Sequence, residues 1–292
     1  MSTSLSPALI RVLDALRCPV CEGPLRVDAS SLRCPAGHTF DIAHQGYVSL
    51  LGGRRATSGD DADMVRARER FLGTGAYDPI SSAVAALVQE AYLDRGGRDD
   101  EGATSDLVLD VGCGTGRHLA AVLDAVPGAW GLGLDTSTRA LRSAVRAHPH
   151  LAGATSDVFR DFPVRDHAVA ALLDIFAPRN PGEFRRVLRT DGVLVVVRPT
   201  SSHLRELRAE VQGMVGVDPE KEERLGAALD PYFTELGTRR VDFTLDLPRE
   251  RARDLVSMTP SARHLDASHV GDSGHLPRSV TVSVLVSSYR PG

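Results

Sequence analysis

The chain has 292 residues, enough for about two domains, and its 42% hydrophobic content is sufficient for a folded core in the larger one. A formal net charge of −4 and an isoelectric point near 6.2 argue against attraction of the whole surface to nucleic acid, so any RNA contact must come from a local patch. No run approaches the ~20 apolar residues of a membrane span, and the first residues lack a signal-peptide pattern, so we expect a cytoplasmic protein without membrane contact.

A set of four metal ligands lies near the beginning of the chain. Cys18 and Cys21 form a Cys-Pro-Val-Cys knuckle, and Cys34 and His38 form a second knuckle after twelve intervening residues. Three thiolates and one imidazole complete a tetrahedral zinc site and leave no position for a catalytic water. The spacing therefore predicts one structural zinc ion. The alternative is a set of reduced cysteines in a loop-rich segment.

Three units are predicted along the chain. They are a zinc ribbon over residues 1–52, a helical linker region over 53–102 and a larger domain over 103–292. In the first unit, a helix over 7–16 precedes the ribbon. In the second, Asp60 or Asp61 can cap one helix, and another should begin near Asp78.

The larger domain alternates short apolar runs with amphipathic helical segments, which predicts a parallel sheet covered on both faces. Two late segments alternate with period two and predict an antiparallel pair. The predicted strands cover residues 107–111, 129–134, 168–175, 192–197, 241–247 and 280–287. A mostly parallel sheet that ends in an antiparallel pair is the α/β arrangement of class I (Rossmann-like) methyltransferases.

The first of these strands ends in a glycine-rich turn. Asp110 precedes Gly112, Gly114 and Gly116, and the G-x-G-x-G spacing differs from the G-x-G-x-x-G of dinucleotide-binding turns. Glycines are needed because side chains in such a turn would collide with a nucleotide-like ligand. The pattern favours S-adenosylmethionine, which has no pyrophosphate. A NAD or flavin protein is the competing interpretation.

Two more acids follow predicted strand ends. Asp135 lies nineteen residues after Gly116, where a carboxylate can accept hydrogen bonds from both ribose hydroxyls. Asp157 lies where the third strand should end and can accept a hydrogen bond from the adenine amino group. For each acid alone, a helix cap or a solvated turn is the alternative.

These features resemble one family, the bacterial 23S rRNA guanine-N1 methyltransferases of the RlmA and TlrB type. The similarity covers nearly the whole chain. Besides the zinc ribbon, it is carried by residues 37–43, 45–48, 59–60, 63–64, 66–68, 75–77, 176–181, 203–204 and 258–260. The segment Phe-Ala-Pro-Arg-Asn-Pro at 176–181 resembles most the Gram-positive, tylosin-resistance branch, which methylates the neighbouring guanine of the same rRNA hairpin.

The resemblance implies transfer of a methyl group from S-adenosylmethionine to N1 of a guanine in a 23S rRNA hairpin, with a role in macrolide resistance of the tylosin type. The zinc ribbon is then the RNA-recognition module. The resemblance also implies cofactor contacts by position, which are Tyr77, Gly116, Arg117, His118, Asp135 and His203. Without it, Tyr77 is an aromatic residue packed under a loop and His203 is a helix cap. A homodimer is left open.

The reaction needs a proton acceptor, because neutral guanine carries a proton on N1. Asp174, at the end of the predicted fourth strand, is the candidate base. Phe176 can stack on an extruded base, with Pro178 and Asn180 shaping the pocket for its Watson–Crick edge. The alternatives are a buried acid that bonds a helix terminus and a core phenylalanine.

The densest basic segment near the ribbon contains Arg54, Arg55, Arg66, Arg68 and Arg70. These arginines form either a phosphate-binding patch or a solvated helix paired with Glu69 and nearby aspartates. Two other functions remain open at this point. One is a small-molecule methyltransferase of antibiotic biosynthesis with the ribbon as a lid. The other is an RNA-binding protein whose cofactor domain has decayed.

Overall fold

The computed structural model describes residues 5–51, 59–95, 106–211, 214, 220–259 and 276–292. In these ranges the helices are α1 Pro7–Val12, α2 Ala62–Gly73, α3 Asp78–Asp94, α4 Arg117–Ala125, α5 Thr138–Ala147, α6 Pro181–Val187, α7 Arg205–Glu210, α8 Glu220–Leu229 and α9 Arg249–Ser257. The strands are β1 Arg26–Asp28, β2 Ser31–Arg33, β3 Thr39–Asp41, β4 Tyr47–Val48, β5 Leu107–Val111, β6 Trp130–Asp135, β7 Leu151–Thr155, β8 Val169–Ile175, β9 Leu188–Pro199, β10 Phe233–Asp246 and β11 Ser279–Pro291. Among the described helices, none combines the length and apolar composition that crossing a membrane requires.

An eight-stranded sheet forms the centre of the molecule, in the order β10-β11-β9-β8-β5-β6-β7-β4. Strands β4 to β9 pair in parallel, whereas β11 pairs antiparallel with both β9 and β10. This confirms the predicted α/β fold of the class I methyltransferases. The strand order reverses at β5, where β6 lies on one side and β8 on the other, and ligands bind beyond the carboxyl ends of strands at such a point.

Three predicted strands, β9, β10 and β11, are longer in the structure than in the sequence pattern, and β11 continues to Pro291 instead of ending at residue 287. β9 begins at Leu188, four residues before the predicted start, and β10 begins at Phe233 instead of residue 241. The added residues of β10 are mostly polar and exposed, so hydrophobic alternation could not reveal them. They are strand because β11 supplies backbone partners for all of them except Leu236, where the register shifts. The first helix ends at Val12, and Leu13–Ala15 continues it as a 3₁₀ turn.

The two faces of the sheet are covered differently. One face packs against α3, α4, α5, α7 and α9, whereas the other packs against α1, α6 and the amino-terminal ribbon. The crossover from β7 to β8, residues 156–168, contains no helix. Helix α1 contacts β6 and β7 instead, with Leu9 and Val12 buried against them. The amino-terminal segment therefore covers apolar surface that the crossover leaves bare.

Backbone contacts join the ribbon to the rest of the chain. Strand β4 adds a parallel edge to β7, and Leu16 forms an isolated antiparallel bridge with Val164. Arg17 N donates to the Pro163 carbonyl at 3.0 Å, and Arg165 N donates to the Ala15 carbonyl at 2.8 Å. The boundaries at 52/53 and 102/103 stay predictions, since both lie outside the described residues, as do Arg54, Arg55 and Pro260.

The packing of α1 can be tested with two neighbouring residues. Leu9 is 1% exposed and Ile10 is 54% exposed. Leu9→Ala should lower the free energy of unfolding of the full chain by about 2–5 kcal/mol, because it leaves a cavity against the sheet. Ile10→Ala is the matched control and should change it by no more than about 0.5 kcal/mol. Urea denaturation measures both, and equal effects would contradict the covering role of α1.

Candidate functional site

The four predicted metal ligands meet at one point. The ligand atoms of Cys18, Cys21, Cys34 and His38 all lie within 4.8 Å of one another. Each knuckle is a tight backbone turn: Cys18 N bonds the Gly23 carbonyl at 2.8 Å, and Cys34 N bonds the His38 carbonyl at 3.0 Å.

The distances between these ligand atoms suit a tetrahedral ion. Cys21 Sγ lies 3.6 Å from Cys34 Sγ, and His38 Nδ1 lies 3.3 Å from Cys34 Sγ and 3.6 Å from Cys18 Sγ. Ligands bound to zinc at about 2.1–2.3 Å in a tetrahedron are separated by roughly 3.3–3.8 Å. The residues therefore fit one structural zinc ion, as predicted.

A cavity of about 750 Å³ opens beyond the carboxyl ends of the central strands, within the range of small-molecule sites. Most residues predicted to contact the cofactor or base line it, namely Tyr77, Gly112, Gly114, Arg117, His118, Asp135, Asp157, Phe176 and His203. Asp110, Gly116 and Asp174 do not line it. The ligand contacts of all these residues stay predictions.

A left-handed backbone conformation, together with close neighbours, explains why glycine is required at two positions of the turn. Gly112 has φ +73°, and a Cβ there would lie 2.8 Å from the Ala177 side chain. Gly116 has φ +75° at the N-cap of α4, and a Cβ there would lie 2.9 Å from Ala144 Cα. Gly116 therefore allows α4 to pack against α5 below the turn, whereas Gly112 keeps the turn itself close to the β8 loop.

Asp135 is held firmly at the end of β6. Its Oδ2 accepts the Gly114 N–H at 2.9 Å, and its Oδ1 accepts the Ser137 N–H at 2.8 Å. Burial raises the pKa of Asp135, and these two hydrogen bonds oppose the rise. Each oxygen keeps a second lone pair, so the carboxylate can accept two more hydrogen bonds from a ligand in the cavity.

The other two acids have different surroundings. Asp157 is 2% exposed and lines the cavity, and its Oδ1 accepts the Phe159 N–H at 3.1 Å. Asp110 lies within β5, beneath the turn. Burial raises the pKa of Asp110 to about 8, and the carboxylates of Asp135 and Asp174 add to the rise.

Three rings gather on one side of the cavity. The ring centroids of Tyr77, Phe176 and His203 are 6.0 to 6.4 Å apart. Phe176 is 40% exposed and has φ +57°, a strained conformation for a residue with a side chain. The exposure of this ring argues against a core role, and its contact with a ligand stays a prediction.

Both cavity histidines are neutral at physiological pH. Burial lowers the pKa of His203 to about 4, and Arg208 contributes. Burial also lowers the pKa of His118 to about 4, with Arg68 contributing. His203 Nδ1 accepts the Ser283 N–H at 3.3 Å, so its proton resides on Nε2, which is a donor.

The predicted base is not in direct contact with the cavity. Asp174 is 0% exposed, and its Oδ2 lies 3.0 Å from Nε of Arg179, a residue that does line the cavity. Asn180 is not a lining residue either. Its amide donates to the Val158 carbonyl at 2.9 Å, and its oxygen caps α6 by accepting the Glu183 N–H. Pro178 does line the cavity.

The described arginines of the basic segment are paired within the chain. Arg66 pairs with Asp63, Arg68 with Asp60 and Arg70 with Asp254. Arg68 also donates to the Met258 carbonyl at 2.8 Å and lines the cavity. Of the two interpretations left open by the sequence, the structure favours intramolecular pairing for these three residues.

Sequence reasoning did not assign several charged residues to this site. Besides the predicted residues, Asp60, Arg68, Arg179, Arg198 and Arg208 line the cavity. Arg179 lies in the segment 176–181, which carries part of the family resemblance. Its position in that segment was the sequence signal that could have assigned it to the site. Arg198 and Arg208 carry no motif and enter the site only through the end of β9 and helix α7.

Comparison with known proteins gives consistent results. A family model described as the zinc ribbon of RlmA, N-terminal, matches residues 16–58. A protein of Micromonospora griseorubida, named for 23S rRNA (guanine-N(1)-) methyl transfer, is 48% identical over 291 residues, which cover 96% of this chain and 98% of the relative. The 23S rRNA (guanine(748)-N(1))-methyltransferase of Streptomyces fradiae is 42% identical over 283 residues, covering 96% of this chain and 98% of that enzyme.

A more distant relative matches a shorter part. The Bacillus subtilis protein YxjB, also named for 23S rRNA (guanine-N(1)-) methyl transfer, is 33% identical over 255 residues. The match covers 84% of this chain and 86% of that protein.

The zinc site can be tested by its metal content. Cys34→Ser removes one thiolate and should reduce bound zinc to well below one equivalent, with a lower melting temperature, because metal binding contributes directly to folding. Cys113→Ala is the matched control, since Cys113 is a buried cysteine outside the cluster. Elemental analysis should show full zinc content in the control. Full zinc content in Cys34→Ser would exclude this ligand set.

Asp110 should make stability depend on pH. An unfolded aspartate has a pKa of ~3.9, so between that value and about 8 the folded state binds one more proton at Asp110 than the unfolded state does. The free energy of unfolding should therefore fall as pH rises through this window. Asp110→Asn should reduce the fall in urea denaturation between pH 5 and 8.5. The exposed Asp230→Asn should leave it unchanged.

Proposed function

The chain belongs to the family of 23S rRNA guanine-N1 methyltransferases, and on that premise we propose that it methylates N1 of guanine 748, or its equivalent, in a 23S rRNA hairpin. The observation that carries this proposal is the 42% identity, over 96% of the chain, with the S. fradiae enzyme whose name specifies that nucleotide. The resemblance of 176–181 to the tylosin-resistance branch extends the proposal to macrolide resistance. A ribosomal RNA substrate supports the further proposal that the protein acts in the cytoplasm.

The cavity residues fit S-adenosylmethionine. Asp135 would hold the ribose hydroxyls with its remaining lone pairs, and Asp157 would accept the adenine amino group. The bare backbone of the Gly112 to Gly114 turn permits close approach, and Tyr77 and His203 flank the same space. When bound, the cofactor supplies an electrophilic methyl group carried on a sulfonium sulfur.

The aromatic side of the cavity suits the target base. Phe176 presents an exposed ring beside His203, which lines the cavity and carries its ring proton on Nε2. An extruded guanine would stack on such a ring and expose its Watson–Crick edge to polar partners. Stacking aligns N1 with the methyl group, and alignment is the main requirement for a donor that is already activated.

The position of Asp174 supports an indirect role in the reaction rather than direct acceptance of the N1 proton. Asp174 is covered by Arg179 and does not reach the cavity, so it cannot accept the N1 proton without leaving its buried position. His118 and His203 have pKa values of about 4, which makes them weak proton acceptors at neutral pH. We therefore propose that the N1 proton passes to water and that Asp174 positions Arg179.

The zinc ribbon serves the RNA side of the reaction in this proposal. Its first knuckle is joined to the segment that leads from Asp157, because Arg17 Nε donates to the Phe162 carbonyl at 3.3 Å. The ribbon is thus placed next to one border of the cavity, where it can hold the hairpin while the guanine enters.

Methyl transfer is tested with labelled S-adenosylmethionine and a synthetic 23S rRNA hairpin. We expect the label in RNA and a reverse-transcription stop at guanine 748, because an N1 methyl group blocks Watson–Crick pairing. The same hairpin with adenine at that position is the control and should remain unlabelled. Label in small molecules of a cell extract, with none in RNA, would contradict the proposal and favour antibiotic biosynthesis.

The role of Asp135 is tested by affinity. Asp135→Asn should weaken binding of S-adenosylhomocysteine about 10- to 100-fold, because hydrogen bonds to a carboxylate contribute about 1.5–3 kcal/mol. Asp124→Asn is the control, since Asp124 lies on α4 outside the cavity with its side chain 76% exposed. Calorimetry measures the affinity and thermal melting checks the fold. A folded Asp135→Asn protein with unchanged affinity would exclude the assignment.

A further inference from the structure

Arg179 lies three residues after Phe176, one of the three rings (Tyr77, Phe176 and His203) that form the aromatic rim of the cavity. It follows Phe176 after the end of β8, and Phe176, Pro178 and Arg179 all line the same space. Its side chain is only 17% exposed. A guanidinium that lines a cavity while largely removed from bulk water makes stronger hydrogen bonds to a ligand than a surface arginine does.

One end of the guanidinium is held and the other is available. Arg179 Nε lies 3.0 Å from Oδ2 of Asp174, whose carboxylate is completely buried. No hydrogen bond or ion pair joins the two Nη atoms of Arg179 to another residue in the part of the chain that the structure describes. Asp174 therefore pins a planar fork of donors beside the aromatic rim.

We propose that the Nη atoms of Arg179 read O6 and N7 of the target guanine and that Asp174 positions them for it. The proposal rests on the function proposed above and specifies how that site selects its base. O6 and N7 are two acceptors on one edge of guanine, and a guanidinium fork bonds them as a pair. Adenine presents an amino donor in place of O6, so the fork would meet a donor and the base would be rejected.

The same contact assists the chemistry. After the N1 proton passes to water, the negative charge of the base is shared between N1 and O6. A guanidinium beside O6 stabilises that charge and so increases the fraction of base that can react. The N1 electron pair then forms the new bond to the methyl carbon as the carbon–sulfur bond breaks, and that bonding pair stays on sulfur. Contact on the O6 and N7 edge leaves N1 itself accessible.

The other cavity arginines are less suitable for this role. Arg198 Nη1 donates to Ser287 Oγ at 2.7 Å, and Arg208 Nη2 donates to the Ser201 carbonyl. In each, one terminal nitrogen already donates to the protein, so that contact sets the orientation of the guanidinium. Arg117 is likewise held by Asp78, and Arg68 by Asp60 and the Met258 carbonyl.

The test combines a change in the enzyme with a change in one atom of the base. Single-turnover methylation is measured on the synthetic hairpin with either guanine or 7-deazaguanine, which lacks the N7 acceptor, at position 748. For the wild-type enzyme, we expect the 7-deaza substitution to lower the rate about fivefold more than its effect on the reactivity of N1 alone would. Arg179→Lys keeps the charge but loses the fork, so its rate on guanine should fall and the added 7-deaza penalty should disappear.

Comparing the two enzymes cancels any intrinsic effect of the substitution on N1 reactivity. Asp174→Asn should also reduce the penalty, because it releases the fork while leaving Arg179 in place. A merely structural defect would lower both rates equally and keep their ratio. Arg165→Lys, at an exposed arginine outside the cavity, is the control and should behave as wild type.

Several outcomes would overturn the assignment. An unchanged 7-deaza penalty in Arg179→Lys excludes the contact with N7. Weaker binding of S-adenosylhomocysteine to Arg179→Lys, with the melting temperature preserved, assigns Arg179 to the cofactor instead. If wild-type protein methylates neither hairpin, the proposed function fails rather than this inference alone.

Discussion

The packing of the amino-terminal segment on the central sheet is the interaction on which the rest of the structure depends. The crossover between β7 and β8 has no helix, so the apolar face of β6 and β7 is covered by α1. One hydrophobic core joins Leu9 and Leu16 to Leu132 and Ala154. Strands β1 to β3 of the ribbon form a separate three-stranded sheet, but the amino-terminal segment shares the core of the central sheet through α1 and joins its edge through β4.

This packing extends to the cavity through the crossover itself. Residues 162–166 are held from the ribbon side by Arg17 and from α6 by Arg186, which donates to the carbonyls of Phe162 and Val164 at 3.1 and 2.7 Å. The crossover begins with the cavity residues Ser156 and Asp157, so the segment that contacts Arg17 also forms one border of the site. The zinc ribbon, the central sheet and one border of the cavity are therefore connected by direct contacts through the crossover.

The cavity itself has an uneven distribution of charge. Asp60, Asp135 and Asp157 line it together with five arginines, which are Arg68, Arg117, Arg179, Arg198 and Arg208. This local excess of positive charge differs from the net charge of −4 of the whole chain. Two of these arginines pair with carboxylates outside the lining, Arg117 with Asp78 and Arg179 with Asp174, so the cavity offers individual cationic donors rather than a uniformly positive surface.

The sequence by itself determined the zinc ligands, the glycine turn, the acid at the end of β6 and the class of sheet, because each depends on local spacing or periodicity. It also placed Arg68 and Arg70 in a basic segment, but could not reveal that Asp60 and Asp254 neutralise them. Only the tertiary structure decided that Asp174 lies behind Arg179, that Asn180 holds a loop and that α1 covers β7. These features depend on which segments distant in sequence come into contact. A hydrophobic or glycine pattern indicates the secondary-structure element to which a residue belongs, but not the residues that it contacts in the folded protein.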